Sequence, residues 1–198
     1  MNLNTRNFLE LKGNRIYLKK LDKVHIEEYW EAFKESSVEA MLFTGTQQVF
    51  NKSSIERHVE NISVDGSRVD FFIRTKESNK IVGEVVLNDI DRNNRSASTR
   101  IVLYRKENFS KGYGSEALVL ALNYGFGMLN LHRIELEVLP INQRGIKAYE
   151  KIGFTREGIK REAAYYHNQY YDMITMSLLA KEFREKYINE KESLERFL

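Results

Sequence analysis

The chain has 198 residues, 42% of them hydrophobic, which suits one globular domain with a sizeable core. Its 31 basic and 28 acidic side chains leave a formal net charge of only +3, too mild and too interspersed to argue for nucleic-acid binding. No apolar run is long enough for a membrane span, and the first 15 residues lack a signal peptide's apolar core. The lack of cysteine excludes disulfides, thiolate metal sites and cysteine nucleophiles, and agrees with a cytoplasmic location.

The first half of the chain predicts one strand, two helices and a three-stranded antiparallel meander. Residues 15–21 alternate between apolar and polar and indicate a strand, and helical patterns follow at 24–35 and 53–62. Ser53 and Glu56 have the spacing of a capping box for the second helix. Three further strands are predicted at 69–76, 80–90 and 95–105.

The second half predicts helices alternating with strands. These elements are a helix at 114–128, a strand at 132–140, a short helix at 143–154 ending at Gly153, and a hairpin at 161–179 turning at His167, Asn168 and Gln169. A charged helical tail is expected at about 181–198, with apolar residues that include Leu194 and Phe197. The order predicts an α/β (α+β) fold in a single domain, 1–198, with a mixed, mostly antiparallel sheet and helices on both faces.

Two glycines stand where the helix after the meander must begin. Gly112 and Gly114 match the spacing G-x-G-x-x-A of a dinucleotide-binding loop, which makes an oxidoreductase one hypothesis. The preceding meander disfavours it, because such loops follow a strand in repeated βαβ units. A phosphate held on the helix N-terminus is the chemistry that the glycines favour, while a turn without a ligand is the simpler alternative. Glu116, in the first helical turn, is expected to favour the helix dipole.

Between Arg95 and Leu179 the chain resembles the GNAT superfamily of acetyl-CoA-dependent N-acetyltransferases. Within that superfamily it is most similar to the ribosomal-protein N-terminal acetyltransferases (RimJ/RimL type) and the spermidine acetyltransferases. The stretches that carry the resemblance are SKGYGSEAL, LNLHRIELEV, NQRGIKAYEKIGF and a hairpin with Glu157, Gly158, Asp172 and Met176. Phe109 departs from the superfamily pattern, which has Gln or Arg there, and so do Arg144 and Gly145, which leaves the pantetheine contacts open.

The resemblance implies a GNAT-like fold and a site for acetyl-CoA as co-substrate, with no metal. It places coenzyme contacts along one strand, in the glycine loop and on the following helix: Ile101, Val102, Leu103, Lys111, Gly112, Tyr113, Gly114, Ser115, Asn142 and Lys151. In such enzymes an amine attacks the thioester directly, so a proton must leave the amine and one must meet the thiolate. Tyr149 is the predicted acid, by resemblance, and a core tyrosine is the alternative. Glu84 is the predicted base, with Glu137 and water as rivals.

The acceptor is expected to be a primary amine, either on a small molecule or at a protein N-terminus. A polyamine is the alternative acceptor and would favour a cluster of acids, for which the sequence offers Glu28, Glu31, Glu35 and Glu39. An ordinary charged helix surface explains these four equally well. A non-catalytic module that binds acetyl-CoA is the alternative of another class. A homodimer is left open, and neither nucleic acid nor membrane is expected as a partner.

Overall fold

The computed structural model describes residues 10–44, 51–166 and 168–188, except the side chain of residue 63. One mixed sheet has the strand order β1-β2-β3-β4-β5-β6-β8-β7. Its strands are β1 Glu10–Lys12, β2 Ile16–Lys20, β3 Val69–Thr75, β4 Ile81–Asp91, β5 Ser96–Leu103, β6 Arg133–Val138, β7 Thr155–Tyr166 and β8 Gln169–Leu179. The helices are α1 Ile26–Phe33, α2 Val38–Phe43, α3 Lys52–Val64, α4 Tyr113–Asn123, α5 Gln143–Ile152 and α6 Ala180–Tyr187.

Helices cover both faces of the sheet, as the element order predicts. On one face, Leu118 and Leu122 of α4 join a large core with sheet residues such as Val85 and Ile134. On the other, Tyr29 of α1 and Ile55 and Val59 of α3 pack with Leu21, Phe72 and Tyr104. Burial of these apolar side chains is the main force that fixes the helices on the sheet.

The sheet opens between β5 and β6. These strands are parallel and paired only from Ser96 to Ser98 on β5 and from Arg133 to Glu135 on β6. Beyond those pairs, β5 stays bonded to β4 and β6 to β8, so the two strands diverge into a wedge. Every other pair of neighbouring strands is antiparallel. The dinucleotide-binding hypothesis is therefore wrong, because that fold needs a mostly parallel sheet.

Local details differ from the sequence prediction where short side chains offer several caps. The capping box of α3 is formed by Asn51 and Ser54, not by Ser53 and Glu56. The Asn51 side chain accepts from the Ser54 N–H at 2.8 Å, and Ser54 Oγ accepts from the Asn51 N–H at 2.9 Å. Strand β1 and helix α2 were not predicted, since three and six residues carry little periodic signal.

The predicted tail begins as α6 and packs against the domain. Phe183 is 1% exposed, and its ring lies 5.2 Å from that of Phe126. Residues 189–198, with Leu194 and Phe197, lie outside the described residues, as does His167 of the predicted hairpin turn. The single-domain assignment of 1–198 stays a prediction. In the part of the chain that the structure describes, no helix is long and apolar enough to cross a membrane.

Candidate functional site

The glycine loop forms the N-terminus of α4. Gly112 is the N-cap residue and has φ = +81°, a left-handed conformation that favours glycine. No side chain of the residues that the structure describes caps this helix, so the first backbone N–H groups of α4 are left for another acceptor. A Cβ at Gly114 would make only ordinary contacts with Ile101 and Leu103. Gly112 is therefore required by backbone geometry, whereas Gly114 leaves space next to β5.

A cavity of about 360 Å³ lies between this loop, β5 and α5. We call it the coenzyme cavity. Eight of the ten predicted coenzyme contacts line it: Ile101, Val102, Leu103, Gly112, Gly114, Ser115, Asn142 and Lys151. The Asn142 side chain is occupied as the N-cap of α5, where it accepts from the Gly145 N–H at 2.9 Å. A helix N-terminus beside an open strand edge suits the pyrophosphate and the amide-rich arm of acetyl-CoA.

Lys111 and Tyr113 do not line the coenzyme cavity. Both side chains lie on the far side of the loop, in a cavity shared with Glu28 and Glu31 of α1. The Arg15 guanidinium lies 5.9 Å from the centre of the Tyr113 ring. Their contact with the coenzyme stays a prediction for their backbone groups, because their side chains line the other cavity.

Part of the cavity wall was not predicted from the sequence. Lys147 lies one helical turn before Lys151, and in the described part of the chain neither ammonium has an ion-pair partner. Helix α2 adds Ala40 and Phe43, and Arg144 packs 4.0 Å from the centre of the Phe109 ring. The i, i+4 spacing of the two lysines was visible in the sequence, but the position of α2 depends on tertiary packing.

Tyr149 lies where the coenzyme cavity meets a second space, of about 590 Å³, that we call the acceptor cleft. Ile101, Phe43 and Thr44 line both spaces as well. Burial raises the pKa of Tyr149 to about 12, so its hydroxyl stays protonated in any assay near neutral pH. A thiol has a pKa of about 8.5, so Tyr149 can donate a hydrogen bond to a departing thiolate without giving up its proton.

Charged side chains form much of the acceptor cleft. The acids are Asp89, Glu135 and Glu137, and the bases are Arg68 and Arg100. Most are already paired: Arg68 with Asp70 at 2.7 Å, Arg133 with Glu135 at 2.9 Å, and Lys160 with Glu137. The hairpin β7–β8 supplies Ala164, Tyr165, Tyr166 and Met173 as a further wall.

Glu84, the predicted base, is not in either large space. It is 7% exposed on β4 and accepts hydrogen bonds from Tyr29 Oη at 2.8 Å, Tyr104 Oη at 3.1 Å and Arg100 Nη2 at 3.4 Å. It lines a separate cavity of about 100 Å³ together with His58 and Thr44. Burial lowers the pKa of His58. Because Thr44 and Arg100 also line the acceptor cleft, this small cavity adjoins it. The described residues include no cluster of three or more metal-ligating side chains.

The chain is similar in sequence to known acetyltransferases. The family model for the acetyltransferase (GNAT) domain matches residues 15–155. Spermidine N(1)-acetyltransferase of Vibrio cholerae is 30% identical over 166 residues, which cover 84% of this chain and 82% of that protein. The N-acetyltransferase p20 of Bacillus licheniformis is 29% identical over 174 residues, 87% and 97% of the two chains.

Solved structures show the same fold at lower identity. The spermidine N-acetyltransferase from Vibrio cholerae in complex with CoA and spermine has a TM-score of 0.78 at 23% identity, covering 86% of this chain and 99% of that one. The ribosomal-protein-S5-alanine acetyltransferase from Vibrio fischeri has a TM-score of 0.80 at 18% identity, covering 88% and 98%. The solved structures share the fold, while the family match and the relative at 30% identity show that the chain belongs to the GNAT acetyltransferase family and is an acetyl-CoA-dependent N-acetyltransferase.

Proposed function

We propose that this enzyme transfers the acetyl group of acetyl-CoA to a primary amine of a small molecule by direct attack on the thioester. The observation that carries this proposal is the meeting of two spaces at Tyr149. One is built from a helix N-terminus, a strand edge and lysines, which suit the coenzyme. The other has carboxylates in its walls, which suit a cationic amine.

In this arrangement the wedge between β5 and β6 orients the thioester toward the acceptor cleft. The amine reaches it from the side of Glu137 and Tyr165, while the Tyr149 hydroxyl faces the leaving sulfur. As the new amide bond forms, the carbon–sulfur bond breaks and the thiolate accepts a hydrogen bond from Tyr149. Backbone N–H groups near Leu103 are the proposed partners of the oxyanion.

The amine's proton passes, in this proposal, to water in the acceptor cleft and from there to Glu84. The small cavity around Glu84 shares Thr44 and Arg100 with the cleft, and a volume of about 100 Å³ admits water. Glu137 lies in the cleft wall itself, but Lys160 already neutralises it. Direct release of the proton to solvent water is the alternative to both carboxylates.

A polyamine is the acceptor favoured by the named relative at 30% identity. The four acids that the sequence offered for it do not form a free cluster. Each is ion-paired, and the pairs are Glu28 with Arg74, Glu31 with Lys34, Glu35 with Arg105, and Glu39 with both Arg144 and Lys106. Of the three acids in the acceptor cleft, Glu135 and Glu137 are ion-paired as well, with Arg133 and Lys160. Among the described residues, Asp89 is therefore the cleft carboxylate on which polyamine recognition would rest first. A protein N-terminus and the RimJ/RimL branch stay predictions.

The test is thiol release from acetyl-CoA with a panel of acceptors: spermidine, an aminoglycoside, and peptides with free Ser, Ala and Met N-termini. We expect amine-dependent release with a small amine and a product heavier by one acetyl group. Turnover of peptides alone would replace the small molecule by a protein N-terminus. Coenzyme binding without release for any amine would favour the non-catalytic module.

A further inference from the structure

Arg15 and Glu116 join two parts of the chain that lie about a hundred residues apart. Glu116 Oε1 accepts from the backbone N–H groups of Arg15 at 2.9 Å and Ile16 at 3.3 Å, and Oε2 accepts from Arg15 Nε at 3.3 Å. The Glu116 side chain is 16% exposed. A Cβ at Gly13 would collide with this carboxylate, so the turn between β1 and β2 is shaped around it. Glu116 therefore does more than favour the helix dipole.

The same arginine holds the glycine loop. Arg15 Nη1 donates to the backbone carbonyl of Lys111, and a Cβ on Gly112 would lie 2.5 Å from Arg15 Nη2. In a trans peptide the Lys111 carbonyl and the Gly112 N–H point to opposite sides. Fixing the carbonyl toward Arg15 therefore turns the Gly112 N–H away from it. Gly112 lines the coenzyme cavity, whereas Arg15 is absent from its wall.

We propose that Arg15 and Glu116 are positioning residues that hold the glycine loop in the conformation that receives the coenzyme pyrophosphate. The inference rests on the proposed function and deepens it. Of the side chains that the structure describes, Arg15 is the one that bonds the Lys111 carbonyl, and this bond helps to fix the Lys111–Gly112 peptide plane before the left-handed residue Gly112. Without this bond, the loop would lose more conformational entropy when the coenzyme binds, and affinity would fall.

The first experiment is calorimetric titration of Arg15→Ala with coenzyme A, which needs no acceptor and is independent of turnover. We expect binding to weaken by about tenfold, as for loss of one hydrogen bond from a charged group. Arg156→Ala is the matched control. The Arg156 side chain is 52% exposed against 58% for Arg15, and its ion pair with Glu150 lies outside the coenzyme cavity wall. The control should bind coenzyme A like the wild type, and both variants should keep the wild-type melting temperature.

Glu116→Ala separates positioning from direct phosphate contact. If the pair positions the loop, freeing Arg15 from Glu116 weakens coenzyme A binding as Arg15→Ala does, and Glu116→Gln, which keeps the oxygen acceptor, gives an intermediate value. If Arg15 contacts the phosphates itself, Glu116→Ala leaves binding unchanged or tightens it, and the proposal is overturned.

A second comparison uses S-acetylpantetheine, which lacks the pyrophosphate. For an amine that the wild type acetylates, Arg15→Ala should raise KM for acetyl-CoA by about tenfold with kcat nearly unchanged, and should leave kcat/KM for S-acetylpantetheine within about twofold. Equal losses with both donors would indicate a general structural defect and contradict the proposal. Failure of every amine to react would count against the proposed function, while the calorimetric result on the pair would still stand.

Discussion

The coenzyme cavity and the acceptor cleft meet at Tyr149, yet they are built from different parts of the chain. The cavity comes mostly from two continuous segments, 101–118 and 142–152, and relies on backbone groups, a helix N-terminus and small residues. The cleft draws on five strands, β4 to β8, and on ion-paired side chains. Binding of a ligand by backbone groups depends on a short stretch of sequence that sets the loop conformation. Binding by side chains, in contrast, can be changed by single substitutions. The coenzyme site is therefore the better defined of the two, and the acceptor is the more open question.

Glu84→Ala should have the largest effect, because Glu84 ties β4 to Tyr104, which directly follows the β5 strand shared by both spaces. Removing the carboxylate leaves the hydroxyls of Tyr29 and Tyr104 buried without their acceptor. We expect the free energy of unfolding to fall by about 2–4 kcal/mol, measured by urea denaturation. Because the Glu137 side chain is half-exposed, Glu137→Ala should change the free energy of unfolding by no more than about 0.5 kcal/mol.

Glu84→Gln then asks whether the carboxylate also accepts the proton. If it does, kcat falls by about tenfold or more in a variant that remains folded. An unchanged kcat across the pH range would leave Glu84 a structural residue and transfer the proton to solvent or Glu137.

Gly112→Val tests the backbone side of the comparison. A branched side chain at φ = +81° is strained, and its Cβ would displace the Arg15 guanidinium. Coenzyme A binding should weaken by about tenfold or more by calorimetry. Gly66→Ala is the matched control, since a Cβ there meets nothing within 4 Å and the residue is far from the loop in sequence. Wild-type affinity in Gly112→Val would show that the loop geometry does not govern binding.

Two charge substitutions should separate the spaces kinetically. Lys151→Gln removes a cation from the coenzyme cavity and should raise KM for acetyl-CoA by about threefold, with KM for the amine unchanged. Glu137→Gln removes an acid from the acceptor cleft and should raise KM for the amine, with KM for acetyl-CoA unchanged. Glu150→Gln, whose carboxylate lies outside both spaces, controls for net charge. Changes in the same KM by both substitutions would mean that the two spaces are not assigned to separate substrates.

The smallest effect concerns acid stability. Arg133, and then Ser177, hold the pKa of Glu157 down at about 2 by hydrogen bonding. A pKa below its unfolded value stabilises the folded state above about pH 4.5, and this contribution is lost as pH falls toward 2. Because the Glu157 side chain is 40% exposed, Glu157→Gln should lower the melting temperature at pH 7 by only about 1–2 °C. The difference in melting temperature between Glu157→Gln and wild type should disappear as the pH falls. A difference that persists at pH 2 would contradict a lowered pKa of Glu157 in the folded state.

The contrast between the two spaces also explains what the sequence could predict. The strands of the meander, the helix after the glycines and most coenzyme contacts follow from local periodicity and spacing. Glu137 was named from the sequence as a rival base, but most of the cleft could not be foreseen. Arg68, Asp89 and Tyr165 meet it only through sheet register and the splay of β5 from β6. The link from Arg15 to Glu116 spans 101 residues and leaves no local pattern. Lys111 and Tyr113 were placed in the site by motif alone, which does not encode side-chain direction.

Whether the thioester and the amine meet at Tyr149 can be measured by the single-turnover rate of Tyr149→Phe with acetyl-CoA and a reactive amine. The substitution removes one hydroxyl. Burial is the one cause of its raised pKa, which gives no sign of a charged partner that the substitution would leave behind, so the fold should be kept. We predict a single-turnover rate lower by about tenfold to hundredfold, with coenzyme A affinity and melting temperature unchanged. A single-turnover rate equal to that of the wild type would show that Tyr149 is a core tyrosine and that the chemistry takes place elsewhere.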